Sequence, residues 1–156
     1  MPHTAADRLK SLGLELPPAP NPVANYVPAL RTGNLLFVSG QIARRPDGSI
    51  LAGTLGADLD IAQGQEAARI CALNILAQAA AALESLDRIG RLVRLNGFVA
   101  ATPDFKDHPS VINGASDLMV DVLGEKGRHT RAAIGVASLP AGTAVEIDAI
   151  FALEES

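Results

Sequence analysis

Apolar side chains recur at helical spacing most clearly between residues 61 and 86. Ala68, Cys71, Ala72, Ile75, Ala79 and Ala82 form one stripe, and Ile70, Leu73, Leu76 and Leu83 widen it. This pattern predicts the longest helix of the chain, with Asp60 as its N-cap and alanines that let its backbone lie close to a sheet. A second helix is predicted over 108–123, with Pro109 in its first turn, Gly124 at its end, and Ile112, Ala115, Met119 and Val122 facing the core. A short helix over 4–13 carries Ala5, Leu9 and Leu12 on one side, Thr4 as a cap and Gly13 as a stop.

Strand patterns fill the intervals. Segments 26–31 and 35–42 flank the turn residues Thr32-Gly33-Asn34. The unbroken run Leu35-Leu36-Phe37-Val38 predicts a strand buried on both faces. Val93, Leu95, Gly97 and Val99 alternate within a strand near 90–101. The last strands, 130–137 and 143–153, are joined through Leu139-Pro140-Ala141-Gly142. Residues 44–60 read as an irregular loop turning at Pro46-Asp47-Gly48. Pro17-Pro18-Ala19-Pro20-Asn21-Pro22 reads as a stiff connector, so residues 1–22 form an arm and 23–156 one domain. The order β-β-α-β-α-β-β implies a two-layer α+β domain with a mixed, mostly antiparallel sheet and two main helices on one face.

Composition narrows the possible functions. With 48% hydrophobic residues, 156 residues can bury a core, and with only 3% aromatic residues that core is aliphatic. The net charge of −4, with Lys and Arg scattered, argues against a nucleic-acid partner. No 18-residue apolar stretch is free of charge, and the N-terminus does not read as a signal peptide, so no membrane association is expected. Cys71 is alone, which excludes an internal disulfide and fits a cytoplasmic protein.

Familiar catalytic motifs are missing. There is no phosphate-binding glycine loop, no paired-cysteine or H-E-x-x-H zinc spacing and no G-x-S-x-G elbow around Ser39. Neither a cofactor nor a metal is expected. His3, His108 and His129 read as solvated surface histidines, and Cys71 as a packed core thiol.

Two charges interrupt the apolar C-terminal strands. Parity places Arg131 with Ala133 and Gly135 on one face, and Glu146 with Ala144 and Asp148 on one face, with small neighbours leaving room for a ligand. A structural salt bridge on a solvated face fits this spacing. So does a site in which a guanidinium fork grips a carboxylate while a glutamate holds water beside it. On the second reading the two groups converge from neighbouring strands in one crevice.

These same residues carry a family resemblance. Thr130-Arg131-Ala132-Ala133-Ile134-Gly135-Val136-Ala137-Ser138-Leu139-Pro140, then Val145-Glu146-Ile147, resembles the C-terminal signature of the Rid/YjgF proteins, also called the L-PSP endoribonuclease family. Gly33-Asn34-Leu35-Leu36-Phe37-Val38-Ser39-Gly40-Gln41-Ile42 resembles their N-terminal signature, and the likeness runs over about residues 23–153. It implies a chorismate-mutase-like α+β sandwich, a homotrimer with clefts between subunits, and hydrolytic deamination of 2-aminoacrylate-like enamines and imines to 2-ketoacids and ammonia. By resemblance, Arg131 binds the substrate carboxylate and Glu146 positions the attacking water. Tyr26 forms a cleft wall, Asn113 contributes from the second helix, Ser39 and Gly40 floor the pocket, and Ala133 offers backbone where many members have cysteine. The long N-terminus, the longer connection from Thr102 to Ile112, His129 in place of Pro or Ala, and Ala133 mark a divergent subgroup. A non-catalytic carboxylate-binding or regulatory trimer would use the same arginine. The ribonuclease activity in the family name and a protein-interaction role are the other readings.

Overall fold

The computed structural model describes residues 4–21 and 24–155. His3 and Pro22 lie outside the described residues. Helix α1 (Ala5–Ser11) precedes strands β1 (Ala29–Thr32) and β2 (Leu35–Ile42). Helix α2 (Ile61–Leu83), strand β3 (Ile89–Ala100), helix α3 (His108–Leu123), and strands β4 (Thr130–Val136) and β5 (Val145–Leu153) follow. The five strands form one sheet in the order β1-β2-β5-β3-β4. The β3–β4 pair is parallel and the others are antiparallel. Helix α3 supplies the crossover that a parallel pair needs.

Local chemistry sets the helix ends. The Asp60 carboxylate accepts from the Gln63 backbone N–H at 2.8 Å, and Gln63 Oε1 accepts from the Asp60 N–H at 2.9 Å, a reciprocal cap that starts α2. Thr4 and Asp7 cap α1 in the same way. Helix α2 stops at Leu83, three residues before the apolar pattern ends, because Glu84 turns left-handed (φ 67°). Its length and composition would also suit a membrane span, but two-thirds of its apolar window is buried inside this domain.

The core lies between α2, α3 and one face of the sheet. Leu36 and Val38 of β2, Leu92, Leu95 and Val99 of β3, and Ile147, Ala149 and Phe151 of β5 are all almost fully buried. Each large side chain among them stabilises the fold by about 1.5–3 kcal/mol. Small residues allow close approach between the layers. A Cβ at Gly114 of α3 would run into the Gln65 carbonyl of α2, and one at Gly97 of β3 would lie 2.6 Å from Ile112 Cδ1. The arm belongs to the same packing, since Ala5 and Leu9 are buried and Gln78 Nε2 donates to the Pro20 carbonyl.

Two expectations from the sequence need correction. Strand β2 is buried on one face only. Leu35 and Phe37 (40% exposed) point away from the helices, beside Leu30 and, across the sheet, Ile134 (48% exposed). The apolar run therefore marks a bare sheet face rather than a two-sided core. The two C-terminal strands are also not neighbours, because β3 lies between them. Val145, Ile147, Ala149, Phe151 and Leu153 are all buried, so β5 takes an interior position, while the small-residue strand β4 takes the edge.

Candidate functional site

Arg131 and its surroundings lie on the helix-covered side of the sheet. Across the sheet Arg131 is level with Leu95 and Ala149, both buried beneath the helices. Asn113 and Ser116, one turn apart on α3, face it. Arg131 Nη1 donates to Asn113 Oδ1 at 2.9 Å and to Ser116 Oγ at 3.0 Å, and Nη2 donates to the Pro109 carbonyl at 3.4 Å. Behind Ser116 stands His129. Its Nδ1–H donates to the Gly127 carbonyl at 2.6 Å, which leaves Nε2 to accept from the Ser116 hydroxyl at 2.9 Å. That tautomer turns a lone pair of Ser116 toward Arg131. Burial, helped by the Arg131 charge, pushes the His129 pKa below its usual 6.5. Every acceptor named around Arg131 is neutral, and among the described residues no carboxylate lies within salt-bridge distance of it.

Glu146 sits on the other side. It is level with Phe98 and, through it, with the exposed Ile134, so it stands on the bare face. Opposite Asp148, two residues along β5, β2 bulges between Val38 and Gln41, and Gly40 of the bulge comes up beside the Glu146 carboxylate. Glu146 lies so close to the Gly40 backbone that a Cβ there would run into Oε2. The Ser39 hydroxyl donates to the Val27 carbonyl at 2.8 Å and so ties the Tyr26 segment to the bulge. Tyr26, half exposed, walls the space above. Glu146 accepts no hydrogen bond among the described residues. Burial first, and the Asp148 charge second, raise its pKa above the ordinary 4.5. Asp148 itself accepts from Asn96 Nδ2 at 2.7 Å, and Asn96 Oδ1 accepts from Arg94 Nε at 2.9 Å.

The seven residues singled out from the sequence therefore fall into two groups. Arg131, Asn113 and Ala133 belong to the helix-covered side. Glu146, Tyr26, Ser39 and Gly40 belong to the bare side, and among the described residues the crevices at Glu146 and at Arg131 are separate. Open space beside Arg131 comes from α3 and the segment before β4, a shallow crevice of about 280 Å³ lined by Asn113, Ser116, Asp117, Val120, Arg128 and His129, rather than from its small strand neighbours. Ala133 packs on the core, and a Cβ at Gly135 would run into His108 Nε2. His108 and His129 are half-buried rather than solvated, His108 standing edge-on to Phe105. Cys71 is a buried core thiol, as expected, with its pKa raised well above the ordinary value by burial. Among the described residues no group of three His, Cys, Asp or Glu side chains could hold a metal.

Several further residues belong to the site. Ser116 is signalled by its one-turn spacing from Asn113, and Asp148, on the same face as Glu146 by strand parity, proves to be its charged neighbour. Asn74 and Gln78, a polar pair one turn apart in an apolar helix, line a crevice of about 160 Å³ with Glu146, Gly40, Tyr26 and Arg44. Arg44 itself carries no local signal.

Two helices on one face of a five-stranded mixed sheet, with the opposite face bare and mixed in character, define a two-layer α+β domain of the chorismate-mutase-like type. The model of the family described as "YjgF/chorismate_mutase-like, putative endoribonuclease" matches residues 6–152. The chain belongs to this family, that of the Rid/YjgF proteins. It is 49% identical to Protein TCP17 of Trypanosoma cruzi over 149 residues, covering 95% of this chain and 93% of TCP17. Among solved structures it resembles the protein Atu1372, of unknown function, from Agrobacterium tumefaciens, at 51% identity and TM-score 0.89, covering 97% and 94% of the two chains. It also resembles E. coli TdcF, solved with bound serine, at 26% identity and TM-score 0.64, covering 88% and 94%.

Proposed function

We propose that the protein hydrolyses enamine and imine derivatives of small carboxylic acids to 2-ketoacids and ammonia, in clefts between copies of a homotrimer. One observation carries this reading. Arg131 is aimed by neutral acceptors and, among the described residues, by no carboxylate, so its charge is left for an anionic ligand. An internal partner would have cancelled that charge. The serine held by TdcF, itself a small carboxylate, supports the same ligand class.

Because Arg131 and Glu146 lie on opposite faces of one sheet, the chemistry needs two protomers. Seating the β4 edge of one copy against the bare face of the next would cover Leu30, Phe37 and Ile134 and bring Arg131 toward its neighbour's Glu146. The substrate carboxylate docks on the guanidinium fork, anchoring the imine carbon over Glu146. The raised pKa makes Glu146 a better base once ionised. A water held by Glu146 adds its oxygen to the imine carbon while its proton passes through the carboxylate to nitrogen. The tetrahedral adduct then breaks its C–N bond and releases ammonia and the ketoacid. The imine is already electrophilic, so the step needs no cofactor.

The test is turnover of freshly generated 2-aminoacrylate. Wild-type protein is expected to accelerate pyruvate and ammonia release, and Arg131→Ala to abolish that acceleration. Equal rates with both proteins would remove the mechanism. A carboxylate-binding trimer without turnover is the second reading, since the bound serine of TdcF speaks for binding alone, and the same assay separates the two. The net charge of −4 weighs against RNA as substrate.

A further inference from the structure

Arg44 shares a crevice with Glu146 inside a single protomer. Strand β1 pairs with β2 from Leu35 to Val38, and the Pro28 carbonyl takes the Ser39 N–H at 2.9 Å, so the β2 edge is left open only from Gly40 onward. There α2 and the arm approach, leaving a crevice of about 160 Å³ that runs from Glu146 past the bare backbone of Gly40 to Arg44. Drug-sized ligand pockets begin at roughly 300 Å³, so the occupant of this one is small.

Arg44 is firmly placed, yet its charge is unspent. Its backbone N–H donates to the Ile42 carbonyl, its carbonyl accepts from Asn74 Nδ2 at 3.0 Å, and it bridges to Ile50. Asn74 is almost fully buried, so this tether comes from the core. The guanidinium makes one long bond, from Nη1 to the Gly48 carbonyl at 3.4 Å, and no salt bridge among the described residues. Asp47, the carboxylate of the same turn, is occupied by the Ser49 N–H at 2.8 Å and the Ser49 hydroxyl at 2.6 Å. Asn74 and Gln78 commit their amide nitrogens to backbone carbonyls, which leaves amide oxygens as the polar atoms they can offer the crevice.

We propose that Arg44 reads a second acidic group on the substrate, making dicarboxylic imino acids the favoured class. This inference rests on the hydrolytic reading above. Arg131 of one copy holds the carboxylate next to the imine carbon. Glu146 holds the water, and the side chain of the substrate runs along the β2 edge until its distal carboxylate meets the Arg44 fork. Water oxygen bonds to the imine carbon, its protons go to nitrogen, and the C–N bond breaks. A 2-ketodicarboxylate and ammonia leave with no change of oxidation state.

The test compares imino acids released in situ by amino-acid oxidases acting on glutamate or aspartate with those released from alanine or leucine. Wild-type protein is expected to favour the dicarboxylic imines in kcat/KM, and Arg44→Ala to lower that preference by about tenfold or more, through KM rather than kcat. Arg44→Lys should restore part of it, and a thermal melt of each variant confirms folding. An unchanged ratio in Arg44→Ala would overturn the proposal. If wild type hydrolyses no imine at all, the hydrolytic reading fails by itself, and calorimetry with 2-ketoglutarate and pyruvate decides the role of Arg44. Tighter 2-ketoglutarate binding that Arg44→Ala loses supports it, and equal affinities overturn it.

Discussion

The guanidinium of Arg131 and the carboxylate of Glu146 are handled in opposite ways. Arg131 is braced by a relay that runs from the Gly127 carbonyl through His129 and Ser116, with Asn113 alongside. Glu146 has no such bracing. It is half-buried, lies next to a like charge and rests against a glycine backbone. A group that must hold one orientation gains from fixed neighbours, since rotamer freedom is then given up at folding rather than at binding. A group that must take up a proton gains from having none, because each hydrogen bond to a carboxylate lowers its basicity.

On the proposed mechanism, after Arg131→Ala the largest effect should come from removing the Glu146 carboxylate. Glu146→Gln is expected to lower kcat by about 10²–10⁴-fold, measured on 2-aminoacrylate. It should also raise the melting temperature at pH 7. The folded protein holds the Glu146 pKa above 4.5, so the contribution of Glu146 to stability is full below pH 4.5 and is lost as pH rises through the folded value. The gain from Gln should therefore vanish below pH 4.5, and a variant less stable than wild type at pH 7 would show that Glu146 has partners after all.

A smaller effect is expected at the glycine beneath it. Gly40→Ala places a methyl where Oε2 lies, and the flexible carboxylate moves rather than the backbone. The expected outcome is a fall in kcat of roughly tenfold with little change in melting temperature, since small shifts of a reacting group cost about that much or more. A large loss of stability without a kcat effect would reverse the assignment.

The weakest effect belongs to the relay. The folded pKa of His129 lies below 6.5, so its contribution to stability is present above pH 6.5 and is lost as pH falls through the folded value. Once protonated, Nε2 can no longer accept from Ser116, and Arg131 faces a like charge. KM should rise a few-fold on the acid side as about 1 kcal/mol of hydrogen bonding is lost, with kcat following Glu146 instead. In His129→Ala this acid-side rise in KM should disappear.

The elements were legible because their signals are local. The Asp60 cap, the alanine stripe of α2 and the alternation of β3 from Leu95 to Val99 each act within a few residues, and the structure bears them out, whereas at Val93 an irregularity in the β3–β5 pairing puts Leu92 in the core instead. The placing of β5 between β2 and β3 was not legible, because strand order depends on which strands can be buried on the core side along their whole length. The run Leu35–Val38 misled for a related reason, since a strand buried on both faces and one with an open face look alike in sequence. For the site, Arg131 and Glu146 stood out as charges in apolar strands. Their separation onto opposite faces did not, because parity within a strand says nothing of which face another strand shares. Arg44 was invisible for the same reason, as its place beside Glu146 arises from the free edge of β2.

Mixing two inactive variants tests most directly whether the reacting groups meet across copies. Arg131→Ala and Glu146→Gln chains are co-refolded in equal amounts and assayed on 2-aminoacrylate. If each cleft draws Arg131 from one protomer and Glu146 from the next, random assembly rebuilds intact clefts at about one in four, and roughly a quarter of wild-type activity returns. Activity no greater than the average of the two separate variants would contradict a shared cleft.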